Sequence, residues 1–304
     1  MSERDFAIVC DSGCDLPPAF LERAGVVLVD LGPSGAGGEQ DLSSRLERTY
    51  RDLAARGYAR VASVHSAASF SPAILRAREA AEACTGVCEV EVVDSGAASA
   101  ATGMLVDRIS RYRYFGVEFD EAVEAVRQLA GQVRLLVVPT AKAHFARRRT
   151  HRERQGILGR ATASLRMRVS GERGLFLLSR GEVTQLARAT DLVELTSRLA
   201  HAMSAVSAGE GPVTYALVET GDPRALRAVE KPLDTNEFES RCLGTVRATP
   251  AVEEVVGAGA VAVAFAPESA YSREVPPAPA ETKDSRPPRE EGTGARAGPR
   301  GRLA

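Results

Sequence analysis

A chain of 304 residues in which 44% are hydrophobic and 26% are charged has the composition of a globular protein of one large or two ordinary domains. The net charge of −1 provides no bulk attraction to nucleic acid or to an anionic membrane, and no apolar stretch in the sequence approaches the length of a membrane span. Residues 1–10 lack the pattern of a signal peptide, and five cysteines do not make a disulfide framework. These features predict a cytoplasmic protein.

Strand and helix patterns alternate through the first part of the chain. Short Val-rich strands are predicted over residues 6–10, 26–31, 60–66 and 89–94. Helices are predicted over residues 16–24, 42–56, 71–83, 97–112 and 119–132, with a loop over 32–40. Asp15 is the predicted N-cap of the first helix, and Ser71 is that of the third. Strands that are apolar on both faces and alternate with helices predict a parallel, doubly wound sheet.

The pattern changes after residue 132. Strands are predicted over 133–140, 174–179, 182–189, 213–220, 240–249 and 259–267, and helices over 141–158, 191–206 and 222–233. Two of these strands flank the turn Arg180-Gly181, so the second sheet is predicted to be mixed.

The expected domains are an amino-terminal α/β domain over 1–132, with part of 141–165 as a candidate addition, and a carboxyl-terminal mixed α/β domain over 133–266. A ligand site is expected between them. Seven of the sixteen prolines lie from residue 267 onward, together with many charges, and this composition predicts a disordered tail over 267–304.

Three of the first four strands end in small polar turns. Asp11-Ser12 follows the first strand, His65-Ser66 the third and Asp94-Ser95 the fourth. Because ligands bind beyond the carboxyl ends of strands in an open parallel sheet, these turns are expected to line one edge. Hydroxyls and helix amides at such an edge suit a phosphate or a carboxylate. Capping of the following helices explains the same residues equally well.

Other chemistry has weaker signals. No phosphate loop, nucleophile elbow or metalloprotease helix is present. The pairs Cys10/Cys14 and Cys84/Cys88 have the spacing CxxxC, for which small buried side chains are the simpler interpretation than a zinc site. The basic run over 147–154 is interpreted as a solvated helix face. The functional alternatives are docking to an acidic partner and contact of one arginine with the ligand.

The segment IVCDSGCDLP, residues 8–17, resembles the opening of the DegV family, whose members begin with a strand and then Asp-Ser-x-x-Asp-Leu-Pro. The Ser-rich segment after the third strand, the second Asp-Ser segment and the closing strand GAGAVAVAF are similar to family segments in the same order, over residues 5–266. The resemblance implies two α/β domains that hold a fatty acid between them. It also implies a carrier that is not an enzyme and presents the carboxylate to a fatty acid kinase.

The resemblance also assigns individual residues. Ser71 matches a serine that contacts the carboxylate, although Pro72 replaces the glycine that follows it, and Arg149 matches the arginine of a Gly-Gly-Arg segment. Val255 stands where the family has a histidine, and His65 is our hypothesis for a substitute donor. The full set of predicted ligand-binding residues is Asp11, Ser12, His65, Ser66, Ser71, Asp94, Ser95, Arg149, Gly257 and Gly259.

Three functions follow as hypotheses. The first is a non-catalytic carrier of a long-chain fatty acid that works with the catalytic subunit of a fatty acid kinase and needs no cofactor or metal. The second is a divergent relative that has lost the fatty acid and binds another small anion or a protein partner. The third is a hydrolase or transferase that uses Asp11 with Ser12 or Ser71, which would need a metal or a base nearby, and the sequence offers no convincing set of such residues.

Overall fold

The computed structural model describes residues 6–32, 36–140, 171–235 and 238–275. The elements of the first half are β1 (Ala7–Asp11), α1 (Pro18–Ala24), β2 (Val26–Val29), α2 (Ala36–Ala55), β3 (Arg60–His65), α3 (Ala73–Ala83), β4 (Glu89–Asp94), α4 (Ala100–Tyr114) and α5 (Phe119–Ala130). The four strands form one sheet in the order β2-β1-β3-β4, and all neighbours are parallel. The predicted parallel, doubly wound sheet is therefore confirmed.

The second half contains a larger sheet. Its elements are β5 (Arg134–Val138), β6 (Arg173–Ser179), β7 (Glu182–Ala189), α6 (Leu192–Glu210), β8 (Val213–Glu219), α7 (Pro223–Thr235), β9 (Ser240–Arg247), α8 (Pro250–Val256), β10 (Val261–Pro267) and α9 (Glu268–Tyr271). The strand order is β7-β6-β5-β10-β8-β9, in which only β8 and β9 pair in parallel. The predicted mixed sheet and its hairpin at Arg180-Gly181 are confirmed.

Three apolar cores lie between the layers of the molecule and hold them together. One core joins the first sheet to α2 and α3, another joins the second sheet to α6 and α7, and the largest lies between the two sheets around α4 and α5. Strand β10 shows how the sequence builds two of them: Ala262 and Ala264 face α4, whereas Val263 and Phe265 face α6 and α7. Helix α4 therefore lies between the sheets, where small side chains allow it to approach β10.

The start of the first helix differs from the sequence prediction. Helix α1 begins at Pro18 with Pro17 as its N-cap, whereas Asp15 adopts a left-handed conformation with φ 53°. A side-chain cap at Asp15 would need the backbone N–H of the residue two or three positions later, and these residues, Pro17 and Pro18, have none. The Asp15 carboxylate instead accepts hydrogen bonds from Ser99 and Thr249. The prediction of Asp15 as an N-cap is therefore wrong.

Three other differences concern element boundaries. Helix α2 begins at Ala36, inside the predicted loop, and α8 was not predicted although Thr249-Pro250 is a typical helix start. The predicted tail has an ordered beginning, because Tyr271 of α9 is buried and its hydroxyl donates to Asp107 at 2.5 Å. The predicted helix over 141–158 and the tail beyond residue 275 lie outside the described residues. Within the described ranges, no helix combines the length and the apolar character needed to cross a membrane.

Candidate functional site

A buried relay of polar side chains begins at the end of β1. His65 Nδ1 lies 2.6 Å from Asp11 Oδ2, and His65 Nε2 lies 2.8 Å from Ser63 Oγ. The relay ends at the hydroxyl of Tyr50, 2.8 Å from Ser63, and burial raises the pKa of that phenol, which keeps it protonated. With a neutral imidazole that donates from Nδ1, Tyr50 donates to Ser63 and Ser63 donates to His65. Every member is therefore satisfied inside the protein.

The strand pleat determines which side of the sheet this relay occupies. Val61 packs on α2 and α3, so Ser63 and His65, two and four residues further along the same strand, point to that side. Ala62 and Val64 point the other way, toward α4. Both ring nitrogens of His65 are already hydrogen-bonded, so in this structure the residue supports Asp11 and has no nitrogen left for a ligand.

A second polar group joins the tips of β3 and β4 to the first turn of α4. Thr102 Oγ1 lies 2.9 Å from Ser95 Oγ and 3.2 Å from Ser66 Oγ, and both serines are fully buried. Ser66 also donates to the carbonyl of Gly13 at 3.4 Å, and Ser95 donates to the carbonyl of Ala97 at 3.1 Å. The structure thus brings Ser66 and Ser95 together, as predicted. Thr102 was not predicted, since within the sequence it is one polar residue in an otherwise apolar helix start.

The two Asp-Ser-Gly turns share one local hydrogen bond. Each aspartate accepts a hydrogen bond from the glycine N–H two residues later, at 2.7 Å in Asp11-Ser12-Gly13 and at 2.9 Å in Asp94-Ser95-Gly96. Each turn also contacts the second half of the chain. In the first turn, the Ser12 carbonyl accepts a hydrogen bond from Thr249 Oγ1 at 2.7 Å. In the second turn, the Gly96 carbonyl accepts one from the Gly181 N–H at 2.8 Å. The repeated turn therefore fastens the two halves together.

Asp15 strengthens the first of these contacts. Its carboxylate accepts the backbone N–H of Thr249 at 2.7 Å and the hydroxyl of Ser99. Burial raises the pKa of Asp15 to about 6, because the hydrogen bonds from Ser99 and Thr249 only partly offset the loss of solvation. Ser99 itself has φ 57° and ψ −138°, which is a strained conformation for a residue with a side chain. Strain and a perturbed carboxyl group thus lie together where the halves meet.

The Ser-rich loop after β3 supplies two more hydroxyls. Ser71 Oγ accepts the N–H of Ala73 at 3.2 Å, and its own O–H has no acceptor among the described residues. The hydroxyl oxygen of Ser69 is inaccessible to solvent and has no hydrogen-bond partner there either. Sequence reasoning singled out Ser71 but missed Ser69, although both belong to the same short loop. A buried hydroxyl without an acceptor is able to donate to an anion.

Apolar side chains from both halves meet beside these loops. They surround a cavity of about 10 Å³, which is about the space of one water molecule. Its walls include Phe70 and Ser99 from the first half, Leu135 and Val218 from the second sheet, and Val252 and Val256 from α8. The polar strand tips and this apolar space are therefore adjacent at the interface between the halves.

The remaining predicted residues are two glycines between α8 and β10 and one arginine. Gly257 ends α8 with φ +87°, and its N–H donates to the carbonyl of Glu253, while Gly259 has φ +81°. Both glycines thus permit left-handed backbone between α8 and β10. Arg149 lies outside the described residues. The described part of the chain contains no cluster of histidine, cysteine, aspartate or glutamate side chains that would hold a metal ion.

Comparison with known proteins gives a consistent result. Residues 39–268 match the family model described as "Uncharacterised protein, DegV family". No curated protein sequence is significantly similar to the chain. Among solved structures, a DegV family protein from Thermus thermophilus, described by its fatty acid binding, has 19% identity and a TM-score of 0.69, with 86% of this chain and 99% of that chain covered.

Two further structures agree in fold. DegV from Bacillus subtilis, described as a fatty acid binding protein, has 14% identity and a TM-score of 0.68, with 86% of this chain and 99% of that chain covered. The DegV family protein Cg2579 from Corynebacterium glutamicum has 18% identity and a TM-score of 0.66, with 86% and 97% covered. At these identities the likeness establishes the two-domain fold.

Proposed function

Because the chain belongs to the DegV family, we propose that it binds a long-chain fatty acid between its two halves and presents the carboxylate to the catalytic subunit of a separate fatty acid kinase. In this proposal the chain is a cytoplasmic carrier, is not itself an enzyme and needs no cofactor. The observation that carries the proposal is the adjacency of hydroxyl-rich strand tips and an apolar space at one interface, where Ser99, in the loop between β4 and α4, lines that space and donates to Asp15.

Binding of a fatty acid requires both an apolar pocket for the tail and hydrogen-bond donors for the carboxylate. A saturated tail of about fourteen methylenes gains on the order of 11 kcal/mol when it is buried at about 0.8 kcal/mol per methylene. Association itself costs roughly 4–15 kcal/mol. Burial of the tail therefore gives little net affinity unless the pocket is preorganised. The buried carboxylate also needs donors, because an unpaired charge in the interior is costly.

Ser71 and Ser69 are the donors that the described residues offer to the head group. Ser71 keeps its O–H after it has accepted the Ala73 N–H, and the buried hydroxyl of Ser69 is unpartnered among the described residues. Arg149, which lies outside the described residues, remains a candidate by resemblance alone. In this proposal the relay through Asp11 and His65 holds the strand tip in place and does not contact the ligand.

Native mass spectrometry of the purified chain tests the proposal. We expect a bound mass that matches one long-chain fatty acid, and an organic extract that releases it. Ser71→Ala is expected to weaken affinity about 10-fold, which corresponds to the loss of about one hydrogen bond to a charged group. Ser240→Ala, on the exposed strand β9, is the matched control and should bind as the unaltered chain does. An empty protein that also fails to take up added stearate would refute fatty-acid binding.

A second candidate function is favoured by the size of the described cavity. At about 10 Å³ it has room for one water molecule, whereas an acyl chain would have to displace the surrounding side chains. A divergent DegV protein that binds another small anion or a protein partner needs no such displacement. Under this alternative the same spectra would lack a fatty acid, and inorganic phosphate or acetate would protect the chain against thermal unfolding while stearate would not.

A further inference from the structure

The side chains of Cys10 and Cys14 touch each other inside the protein. Cys10 lies near the end of β1, and Cys14 ends the short 3-10 turn that follows it. Their sulfur atoms are 3.7 Å apart, and the two residues are 0% and 1% exposed. The five cysteines of the described structure are all unpaired thiols. Two buried thiols in contact have the arrangement from which a disulfide forms with little movement of the chain.

The other pair with the same spacing is arranged differently. Cys84 Sγ lies 3.8 Å from the carbonyl oxygen of Glu47, and Cys88 Sγ lies 3.8 Å from that of Tyr50. Each thiol of this second pair is thus directed at a different carbonyl of α2. The spacing CxxxC alone therefore does not bring two sulfurs together, and the strand-to-turn geometry at Cys10 and Cys14 does.

We propose that Cys10 and Cys14 are an oxidation site, at which hydrogen peroxide converts the two thiols into an intramolecular disulfide. A disulfide bond is about 2.05 Å long, so the two sulfurs must approach by only about 1.7 Å. Cys14 also lines a groove of about 490 Å³ between α1, α4 and β9, which gives a small peroxide a route to it. Cys10 is 0% exposed and does not line this groove.

The chemistry balances with one peroxide for each disulfide. The Cys14 thiolate attacks one peroxide oxygen, the O–O bond breaks, and the products are a sulfenic acid on Cys14 and a hydroxide that is protonated to water. Cys10 then loses its proton and attacks the Cys14 sulfur, which expels the second oxygen as hydroxide and so as water. The two sulfurs supply the two electrons that reduce the peroxide. The hydrogen bond with Cys14, together with burial, raises the pKa of Cys10, so the second step should accelerate as the pH rises.

The disulfide would act on the contact between the two halves. Residues 11–13 lie between the cysteines, and the carbonyl of Ser12 accepts the hydroxyl of Thr249. Asp15 follows directly and accepts the N–H of Thr249. Even a small tightening of the turn by the new bond would strain these hydrogen bonds to Thr249 and so weaken the hold on the start of α8. The inference does not depend on fatty-acid binding, because it concerns only the chain itself.

The experiment uses the full chain with Cys242→Ser, which removes the exposed thiol and so reduces links between molecules. After hydrogen peroxide treatment we expect an intact mass lower by two hydrogens, a peptide in which Cys10 and Cys14 are linked, and reversal by dithiothreitol. Amide hydrogen exchange in the segment that contains Thr249 should become faster in the oxidised chain. Cys84→Ala with Cys88→Ala should leave the mass loss intact, and Cys10→Ala with Cys14→Ala should abolish it.

Three results would overturn the proposal. They are full alkylation of Cys10 and Cys14 after peroxide treatment, addition of oxygen without a link between them, and a link between Cys84 and Cys88 instead. Peptide mapping of the chain that retains both cysteines decides among these outcomes even where the double alanine variant fails to fold.

Discussion

The imidazole of His65 lies 2.6 Å from the carboxylate of Asp11, and both side chains are fully buried. The two residues end the neighbouring parallel strands β1 and β3 and are 54 positions apart in the sequence. A carboxylate in the interior is tolerated only when it is paired and hydrogen-bonded, and Asp11 meets this condition with His65 and the N–H of Gly13. The pair therefore fixes the first polar turn, on which the contact with Thr249 depends.

Replacement of His65 tests this role. We expect His65→Ala to lower the free energy of unfolding by about 2–4 kcal/mol, because buried Asp11 and Ser63 would each lose a hydrogen-bond partner and the ring would leave a cavity. His201→Ala, on the exposed face of α6, is the control and should change stability by less than about 0.5 kcal/mol. Urea denaturation at neutral pH measures both. An unchanged stability of His65→Ala would show that Asp11 does not need the imidazole.

The same variant tests the sequence hypothesis that His65 replaces the missing head-group donor. Both of its ring nitrogens are bound within the protein, so the fatty-acid affinity of the folded fraction should not change in His65→Ala. Calorimetric titration with a long-chain fatty acid, corrected for the folded fraction, gives the answer. A loss of affinity beyond that correction would favour a direct contact.

Asp15 gives the stability of the protein a specific pH dependence. Its pKa is about 6 in the folded chain against an ordinary value of 3.8, so the folded state binds the proton more tightly than the unfolded state does. The stabilisation by this proton is complete below pH 3.8 and is lost as the pH rises through 6. The difference between a pKa of 3.8 and one of about 6 corresponds to about 3 kcal/mol.

Asp15→Asn removes this dependence. Asparagine is neutral at every pH and retains an oxygen that accepts the N–H of Thr249, so the variant should be more stable than the unaltered chain at pH 7 and nearly equal to it at pH 4. Asp52→Asn, at an exposed position of α2, controls for the loss of any single carboxylate. Urea denaturation across this pH range measures the difference. A difference that stays constant with pH would contradict a raised pKa at Asp15.

Local signals in the sequence predicted the strand tips and their meeting at one edge. A strand followed by Asp-Ser-Gly indicates a tight turn, and alternation with helices indicates parallel strands, so Ser66 and Ser95 were expected near each other. Both inferences need only neighbouring residues and one topological rule. They were confirmed because short polar turns have few conformations and parallel sheets place their carboxyl ends together.

The contacts between the two halves of the chain could not be predicted from local sequence patterns. Asp15 and Thr249 are 234 positions apart, and nothing near either residue indicates the other. The local pattern indeed favoured a helix cap at Asp15, and tertiary structure overrode it because two prolines follow. Ser99 was missed for a similar reason, since its strained backbone depends on how α4 is held between the sheets.

Two neighbouring leucines of strand β5 allow a matched test of whether the apolar space between the halves binds the acyl chain. Leu135 lines the cavity between the halves, while its neighbour Leu136 points to the core formed with α6 and α7. Both are 1% exposed, so alanine at either position should cost about 2–5 kcal/mol of stability. Under the proposed function only Leu135→Ala should change the affinity for fatty acids or the preferred chain length. Equal effects of the two variants on binding, measured by competition among fatty acids, would remove the cavity from the acyl path.

Alanine substitutions at the two glycines after α8 distinguish the cost of backbone strain from the cost of steric overlap. A side chain at Gly259 would have only distant neighbours, the nearest being Asp222 Oδ2 at 3.9 Å, whereas one at Gly257 would overlap Thr140 Oγ1. Both positions have positive φ, so Gly259→Ala should cost about 1–2 kcal/mol and Gly257→Ala clearly more.

Addition of Thr140→Ala to Gly257→Ala removes the overlapping hydroxyl. The double variant should therefore recover most of the additional stability that Gly257→Ala loses relative to Gly259→Ala. Thermal and urea denaturation measure the stability of all three variants. Equal stability of the two single alanine variants would mean that the Thr140 side chain moves aside freely. In that event the close approach of β5 to the end of α8, where the Thr140 N–H donates to the carbonyl of Val256, would not hold α8 in place.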